Sequence, residues 1–160
     1  MFNFRENILN MIKLKIGDKA PDFKGVTQDG AAISLSDFKG KKLILFFYPK
    51  DNTPGCTAEA CNLRDNYVQF QKLGYEVVGV SKDSEKSHLN FISKHNLPYN
   101  LIADTDKSII NAYGVWGEKI MYGKKAEGLN RTTFIISENG VIENIITKVD
   151  TKNHVSQIIK

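Results

Sequence analysis

"KLILFFYPKDNTPGCTAEAC", Lys42 to Cys61, is the stretch on which the fold turns. Its first half is an unbroken apolar and aromatic run, Leu43 to Phe47, of strand length. It lacks the polar alternation of a strand with one wet face, so it reads as a strand covered on both sides. Pro49 ends the run, and Pro54-Gly55 change the direction of the chain. Pro54 suits the first position of a helix, and the pattern predicts one from Pro54 to Leu73, stopped by Gly74.

Outward from this stretch, strands and helices alternate. Upstream, "DKAPDFKGVTQDGAAISLSDFKGKK" offers a hairpin turning at Asp29-Gly30, with Ser36 and Asp37 placed to cap a short helical turn before Gly40. Downstream, "YEVVGVS" reads as a buried strand and "SEKSHLNFISKHN" as a helix capped by Ser84, with Leu89, Phe91 and Ile92 inward. "YNLIAD" is a short strand and "DKSIINAYG" a short helix ending at Gly114. "RTTFIIS" and "VIENIIT" form a hairpin about Asn139-Gly140, and "KNHVSQIIK" a last helix with Val155, Ile158 and Ile159 inward. This order predicts an α/β fold with a mixed sheet.

The 160 residues fit one domain, expected over 13–160, with 1–12 as an N-terminal extension. That extension mixes Arg5, Glu6 and Lys13 among apolar residues and lacks the apolar centre of a secretory signal. No apolar run approaches the roughly 18 residues of a membrane helix, so neither membrane nor export is expected. The net charge of +4 is spread among interleaved acids and bases, which argues against a nucleic-acid partner. A cytoplasmic, reducing setting is expected, where the two cysteines read as redox-active before structural.

Those cysteines, Cys56 and Cys61, stand five residues apart on the helix from Pro54. Cys56 shares a helical stripe with Ala60, Leu63, Tyr67 and Phe70, while Cys61 falls about 140° away. In an ideal helix their Cα atoms lie roughly 8.7 Å apart, beyond the reach of about 7 Å for a disulfide. A bond between them requires the helix to unwind. The free N–H groups and dipole of a first turn favour a thiolate at Cys56, and Thr53 can place a hydroxyl nearby. A buried structural cysteine is the plainer alternative. Zinc-like spacing is absent, and His88, His95 and His154 read as solvated helix residues, so no metal is expected.

At these residues the chain resembles the peroxiredoxins, in particular the bacterioferritin comigratory protein or Q-type subfamily. The pattern Pro-x-x-x-Thr-x-x-Cys appears as Pro49, Thr53 and Cys56, with the subfamily's second cysteine as Cys61. "GDKAPDF", "VVGVSKDS", "YGVWGEKIMYGKK" and "RTTFIIS" look like further family blocks in the family order, covering the chain from about Lys13 onward. The resemblance implies a thioredoxin-like fold, its mixed central sheet flanked by helices, with an N-terminal β-hairpin.

It also implies an enzyme that reduces hydrogen peroxide and organic hydroperoxides. Cys56 would be the peroxidatic thiolate, Thr53 a hydrogen-bond partner of the peroxide, Pro49 a shield and Arg131 an electrostatic clamp. Without the resemblance, Arg131 reads as a surface residue of an edge strand, on the face of Thr133 and Ile135 by alternation. Cys61 would resolve the sulfenic acid into an intramolecular Cys56–Cys61 disulfide, recycled by thioredoxin or a similar dithiol. No cofactor and a monomeric state are implied. A peroxide-responsive sensor or relay is the alternative reading. Trp116, Met121 and Tyr122 read as packing beside the site.

Overall fold

The computed structural model describes residues 13–121 and 124–159. The extension expected over residues 1–12 lies outside them, as do Tyr122 and Lys160. The first hairpin is β1 (Lys24–Val26) and β2 (Ala32–Ser34), antiparallel, and it turns where expected. Gly30 there has φ +77°, a conformation that glycine adopts without strain. A single 3-10 turn, Leu35–Phe38, follows. Its cap is Ser34 and not Ser36: Asp37 Oδ2 accepts the Ser34 N–H at 2.9 Å, reaching back as the third residue of the turn.

The apolar run becomes β3 (Lys42–Phe47) and the helix after it α1 (Pro54–Asp65). Here the expected single helix is two. Asn66 leaves helical geometry (φ −113°, ψ 10°) and a second helix, α2 (Tyr67–Lys72), starts after it. Asn66 Nδ2 donates to the Asn62 carbonyl at 2.8 Å, a local bond that competes with the helical ladder. Next come β4 (Tyr75–Ser81), α3 (Glu85–His95) capped by Ser84, β5 (Asn100–Ala103) and α4 (Ser108–Ala112).

A second hairpin, β6 (Trp116–Met121) and β7 (Lys124–Leu129), was not evident in the sequence, whose Gly- and Lys-rich composition there carries little strand signal. The chain closes with β8 (Thr132–Ile136), β9 (Ile142–Ile146) and α5 (His154–Ile158).

The main sheet has the order β5-β4-β3-β8-β9. β3, β4 and β5 run parallel, and β8 and β9 are antiparallel to their neighbours, so the sheet is mixed. β3 lies at its centre and alternates between two cores. Leu43, Leu45 and Phe47 pack with Val78, Val80, Phe134 and Ile136 on one face, under α4 and the first hairpin. Ile44, Phe46 and Tyr48 pack with Val77 and Ile135 on the other, under α1, α2 and α3. Both faces are dry, which is why β3 reads as continuous hydrophobic sequence. None of the described helices is long and apolar enough to cross a membrane.

The placements of Leu89, His88 and His154 on the helices need correction. Leu89 is 44% exposed, whereas His88 is fully buried together with Phe91, so the inward stripe of α3 is carried by His88 and Phe91. His154 is also fully buried, and the reading of both histidines as solvated is wrong. Each ring is held by hydrogen bonds that replace its lost water.

Candidate active site

β3 ends between a parallel and an antiparallel neighbour, a point where α/β sheets open a crevice beyond their carboxyl ends. The loop 48–53 leaves there and delivers the chain to α1. The register Phe47↔Thr132 puts Arg131, the residue before β8, beside the start of that loop. Arg131 lies on the Ile135 face of β8, the face that packs against α1.

Cys56 sits in the first turn of α1 and is 1% exposed. Ala60, Leu63 and Phe70 continue its stripe and are fully buried, with Tyr67 partly buried against the same core, although the helix breaks within the stripe. Arg131 Nη2 donates to Cys56 Sγ at 3.2 Å, and its Nη1 donates to Glu59 Oε1 at 2.7 Å. One guanidinium thus spans a thiol and a carboxyl one helical turn apart. Burial, the leading influence, pulls Arg131 down, but Glu59 and Cys56 together hold it above its ordinary value. It is a permanent cation beside the sulfur.

Thr53 caps α1 by its backbone: its carbonyl accepts the Thr57 N–H at 2.9 Å. Its hydroxyl donates to the Lys50 carbonyl at 2.8 Å, so the lone pairs of Oγ1 remain to accept from a ligand. Pro49 is half-buried at the head of the same loop. Cys61 is half-buried further along α1, and both cysteines are free thiols. Cys56 and Arg131 are therefore in direct contact, and Cys61 belongs to a different face of the helix.

Sequence reasoning missed three supports of this arrangement. Glu59 is fully buried, and burial raises its carboxyl to about 7 even though Arg131 draws it down. Its signal was its place three residues after Cys56, on the same side of the helix. His154 lies on α5 with Nε2 2.8 Å from Thr133 Oγ1 and 3.5 Å from Glu59 Oε2. Nothing local marked it, because it reaches the site only through the packing of α5 on α1.

The third support is a buried network under the loop. Asp51 accepts from Tyr48 Oη at 2.6 Å and Ser87 Oγ at 2.8 Å, and lies 2.7 Å from His88 Nδ1. The opposite nitrogen, His88 Nε2, is 2.9 Å from the Ile102 carbonyl. Asp83 accepts the Asp51 N–H at 2.8 Å. Burial foremost, then Asp51, raises Tyr48 well above its ordinary value, so it stays a donor. Among the described residues, Asp51, Asp83 and His88 are the group compact enough to hold a metal ion. Both ring nitrogens of His88 face oxygen acceptors, however, and the cluster is bonded as an anchor for the loop carrying Pro49 and Thr53.

Trp116 does not flank the site. It packs on the opposite core, with Lys107 Nζ 4.1 Å from its ring centre. The side chain of Met121, like Tyr122, lies outside what the structure describes.

Residues 16–145 match the sequence model of the AhpC/TSA family. The chain is 48% identical over 148 residues to a putative peroxiredoxin bcp of Coxiella burnetii, covering 92% of this chain and 98% of that one. It is 42% identical to Peroxiredoxin Bcp of Bacillus subtilis, covering 92% and 94% respectively. Among solved structures, a PrxQ variant of Xylella fastidiosa superposes with TM-score 0.85 at 32% identity, over 91% of this chain and 92% of that one. A Xanthomonas campestris bacterioferritin comigratory protein, described in work on its alkyl peroxide reduction activity, gives 0.80 at 35% identity, over 85% and 87%. The likeness covers the thioredoxin-like fold, the mixed sheet flanked by helices and the N-terminal hairpin.

Proposed function

The chain belongs to the AhpC/TSA family and is a peroxiredoxin, a thiol peroxidase; on that premise we propose that Cys56 is its peroxidatic residue and Cys61 its resolving partner. The observation that carries this reading is the 3.2 Å contact of Arg131 Nη2 with Cys56 Sγ, made at the first turn of α1. A fixed cation and the free N–H groups of the turn stabilise negative charge on sulfur, and on the oxygen that leaves when the O–O bond breaks.

In this reading a hydroperoxide enters between Thr53 and Arg131. Thr53 Oγ1, its own proton directed to Lys50, accepts from the peroxide hydroxyl and orients it. The Cys56 thiolate attacks the terminal oxygen, the O–O bond breaks and an alcohol or water leaves. The sulfenic acid then condenses with the Cys61 thiol, losing water and forming the Cys56–Cys61 disulfide. A dithiol reductant of the thioredoxin type returns both thiols by exchange. Pro49 shields the pocket. The resolver lies in the same chain, so the cycle runs in a monomer, in the cytoplasm.

Mass spectrometry after one equivalent of peroxide tests the assignment. A Cys56–Cys61 disulfide is expected in the parent protein. A sulfenic acid confined to Cys56 is expected in Cys61→Ser, together with loss of recycling by thioredoxin. Turnover by Cys56→Ser, or recycling unchanged in Cys61→Ser, overturns the corresponding role.

A further inference from the structure

The Cys56 thiol and the Glu59 carboxyl share one guanidinium, through Nη2 at 3.2 Å and Nη1 at 2.7 Å. Cys56 is 1% exposed and Glu59 is fully buried. Thiolate and carboxylate together would set two anions against one cation away from water, an arrangement that is strongly unfavourable. Ionisation of one therefore opposes ionisation of the other.

The far side of Glu59 is equally constrained. Glu59 Oε2 is buried and has no hydrogen-bond partner among the described residues, and His154 Nε2 faces it at 3.5 Å. The tautomer of His154 is set from behind. Gln157 Oε1 lies 2.7 Å from His154 Nδ1, and its amide is fixed by bonds to the Lys148 carbonyl and the Asp150 N–H, both at 2.9 Å. An amide oxygen only accepts, so Nδ1 carries the hydrogen and the Nε2 lone pair accepts from the Thr133 hydroxyl at 2.8 Å. Toward Glu59 the neutral ring offers no proton. A carboxylate at Oε2 would therefore find no donor in His154, which favours the protonated carboxyl.

We propose that Glu59 holds the proton that leaves Cys56 and returns it to the departing peroxide oxygen, with His154 as the positioning residue that keeps the carboxyl protonated. The proposal rests on the assignment of Cys56 and Arg131 made above. First, Cys56–SH and Glu59–COO⁻ become Cys56–S⁻ and Glu59–COOH, and Arg131 changes partner without moving. Next, sulfur bonds to the terminal oxygen of ROOH, the O–O bond breaks and its electron pair leaves with RO⁻. Glu59–COOH then gives its proton to RO⁻, yielding ROH and Cys56–SOH, and Arg131 again faces a carboxylate. Every stage keeps one anion against one guanidinium.

The titratable groups around Glu59 agree with this scheme. Cys56 lies on its own helix, Arg131 before β8 and His154 on α5, while Tyr99, raised first by burial and then by Glu59, stands before β5. Burial lifts Glu59 to about 7, against the pull of Arg131. Burial foremost lowers His154, with Arg131 adding to it, while Gln157 and Asp150 act the other way. The carboxyl thus exchanges protons near neutrality while the ring stays neutral.

Infrared difference spectroscopy of reduced Cys61→Ser protein, before and after one equivalent of hydrogen peroxide, tests the transfer directly. A protonated-carboxyl band should vanish in step with Cys56 oxidation measured by mass on the same sample, and should be missing when Glu59→Gln is added. Full oxidation of Cys56 with the band unchanged overturns the proposal. No oxidation of Cys56 overturns the site assignment instead. In the parent background, Glu59→Gln should reduce peroxide roughly a hundredfold more slowly, with rescue by small buffer acids. Its pH profile for alkylation should move to lower pH, whereas His154→Gln, whose amide can donate to Oε2, should move it to higher pH. Shifts in the same direction, or no rescue, refute the stored proton, since general loss of structure gives neither pattern.

Discussion

Oxidation by one equivalent of hydrogen peroxide should open the start of α1, and hydrogen exchange can measure how far. The helix runs unbroken through both cysteines. Residues five apart in a helix have Cα atoms roughly 8.7 Å apart and side chains diverging by about 140°, while a disulfide tolerates about 7 Å. The bond therefore cannot form on the intact helix. The ladder bonds at stake are those of the amides Thr57 to Cys61, beginning with Thr57 N–H to the Thr53 carbonyl at 2.9 Å.

At a net contribution of about 1 kcal/mol per bond, five such bonds amount to about 5 kcal/mol. Two further contacts go with them, Tyr99 Oη to the Ala60 carbonyl at 2.6 Å and Arg131 to Glu59 at 2.7 Å. Released backbone freedom of about 1–2 kcal/mol per residue offsets much of this, so the opening lies within a few kcal/mol. Asn62 marks its limit: it accepts the Val155 N–H at 2.8 Å and donates to the Lys152 carbonyl at 3.3 Å, and Leu63 beyond it is fully buried. In the oxidised protein the amides of Thr57 to Cys61 should exchange at least about tenfold faster, and those of β3 and of Phe70, bonded to the Asn66 carbonyl beyond the helix break, at unchanged rates. A disulfide confirmed by mass, with Thr57 to Cys61 as protected as in the reduced protein, would refute the argument.

Arg131→Met should slow the peroxide reaction. At 3.2 Å the guanidinium–thiolate attraction is about 5 kcal/mol gross with an effective dielectric near 20. Charge-assisted hydrogen bonds retain about 1.5–3 kcal/mol net, so stopped-flow rates should fall roughly ten- to a hundredfold; an unchanged rate would remove Arg131 from the site. Glu59 should make reduced-state stability depend on pH. Its carboxyl is raised from the ordinary 4.5 to about 7, so the contribution is full below 4.5 and lost as pH rises through 7. By linkage this is about 3 kcal/mol, visible in denaturant titrations and removed by Glu59→Gln; equal slopes with pH for both proteins would contradict it. Gly79→Ala should destabilise the sheet. Its Cβ would meet Leu101 Cδ2 and Phe46 Cζ, each at 2.7 Å, an overpacking of about 1–3 kcal/mol. A thermal midpoint equal to that of the parent protein would show that the two side chains yield freely.

Much of this molecule is local, and the sequence carried that part by itself. The apolar run of β3, the proline that starts α1, and the glycines at 30 and 140 are each dictated by backbone chemistry within a few residues. The stripe Cys56–Ala60–Leu63–Phe70 and the divergence of Cys61 follow from helical period alone. Residue spacing could not decide what α1 meets once it is folded. Arg131 lies 75 positions from Cys56, and its contact exists only because β8 pairs with β3. His154 reaches Glu59 because α5 packs across α1, tied by Asn62 to Val155. The misplaced histidines have the same cause: a polar ring is solvated unless distant partners replace water, and Asp51, Ile102, Thr133 and Gln157 do so here. A side chain's period tells which way it points, and only the assembled fold sets the charge and the donors waiting there.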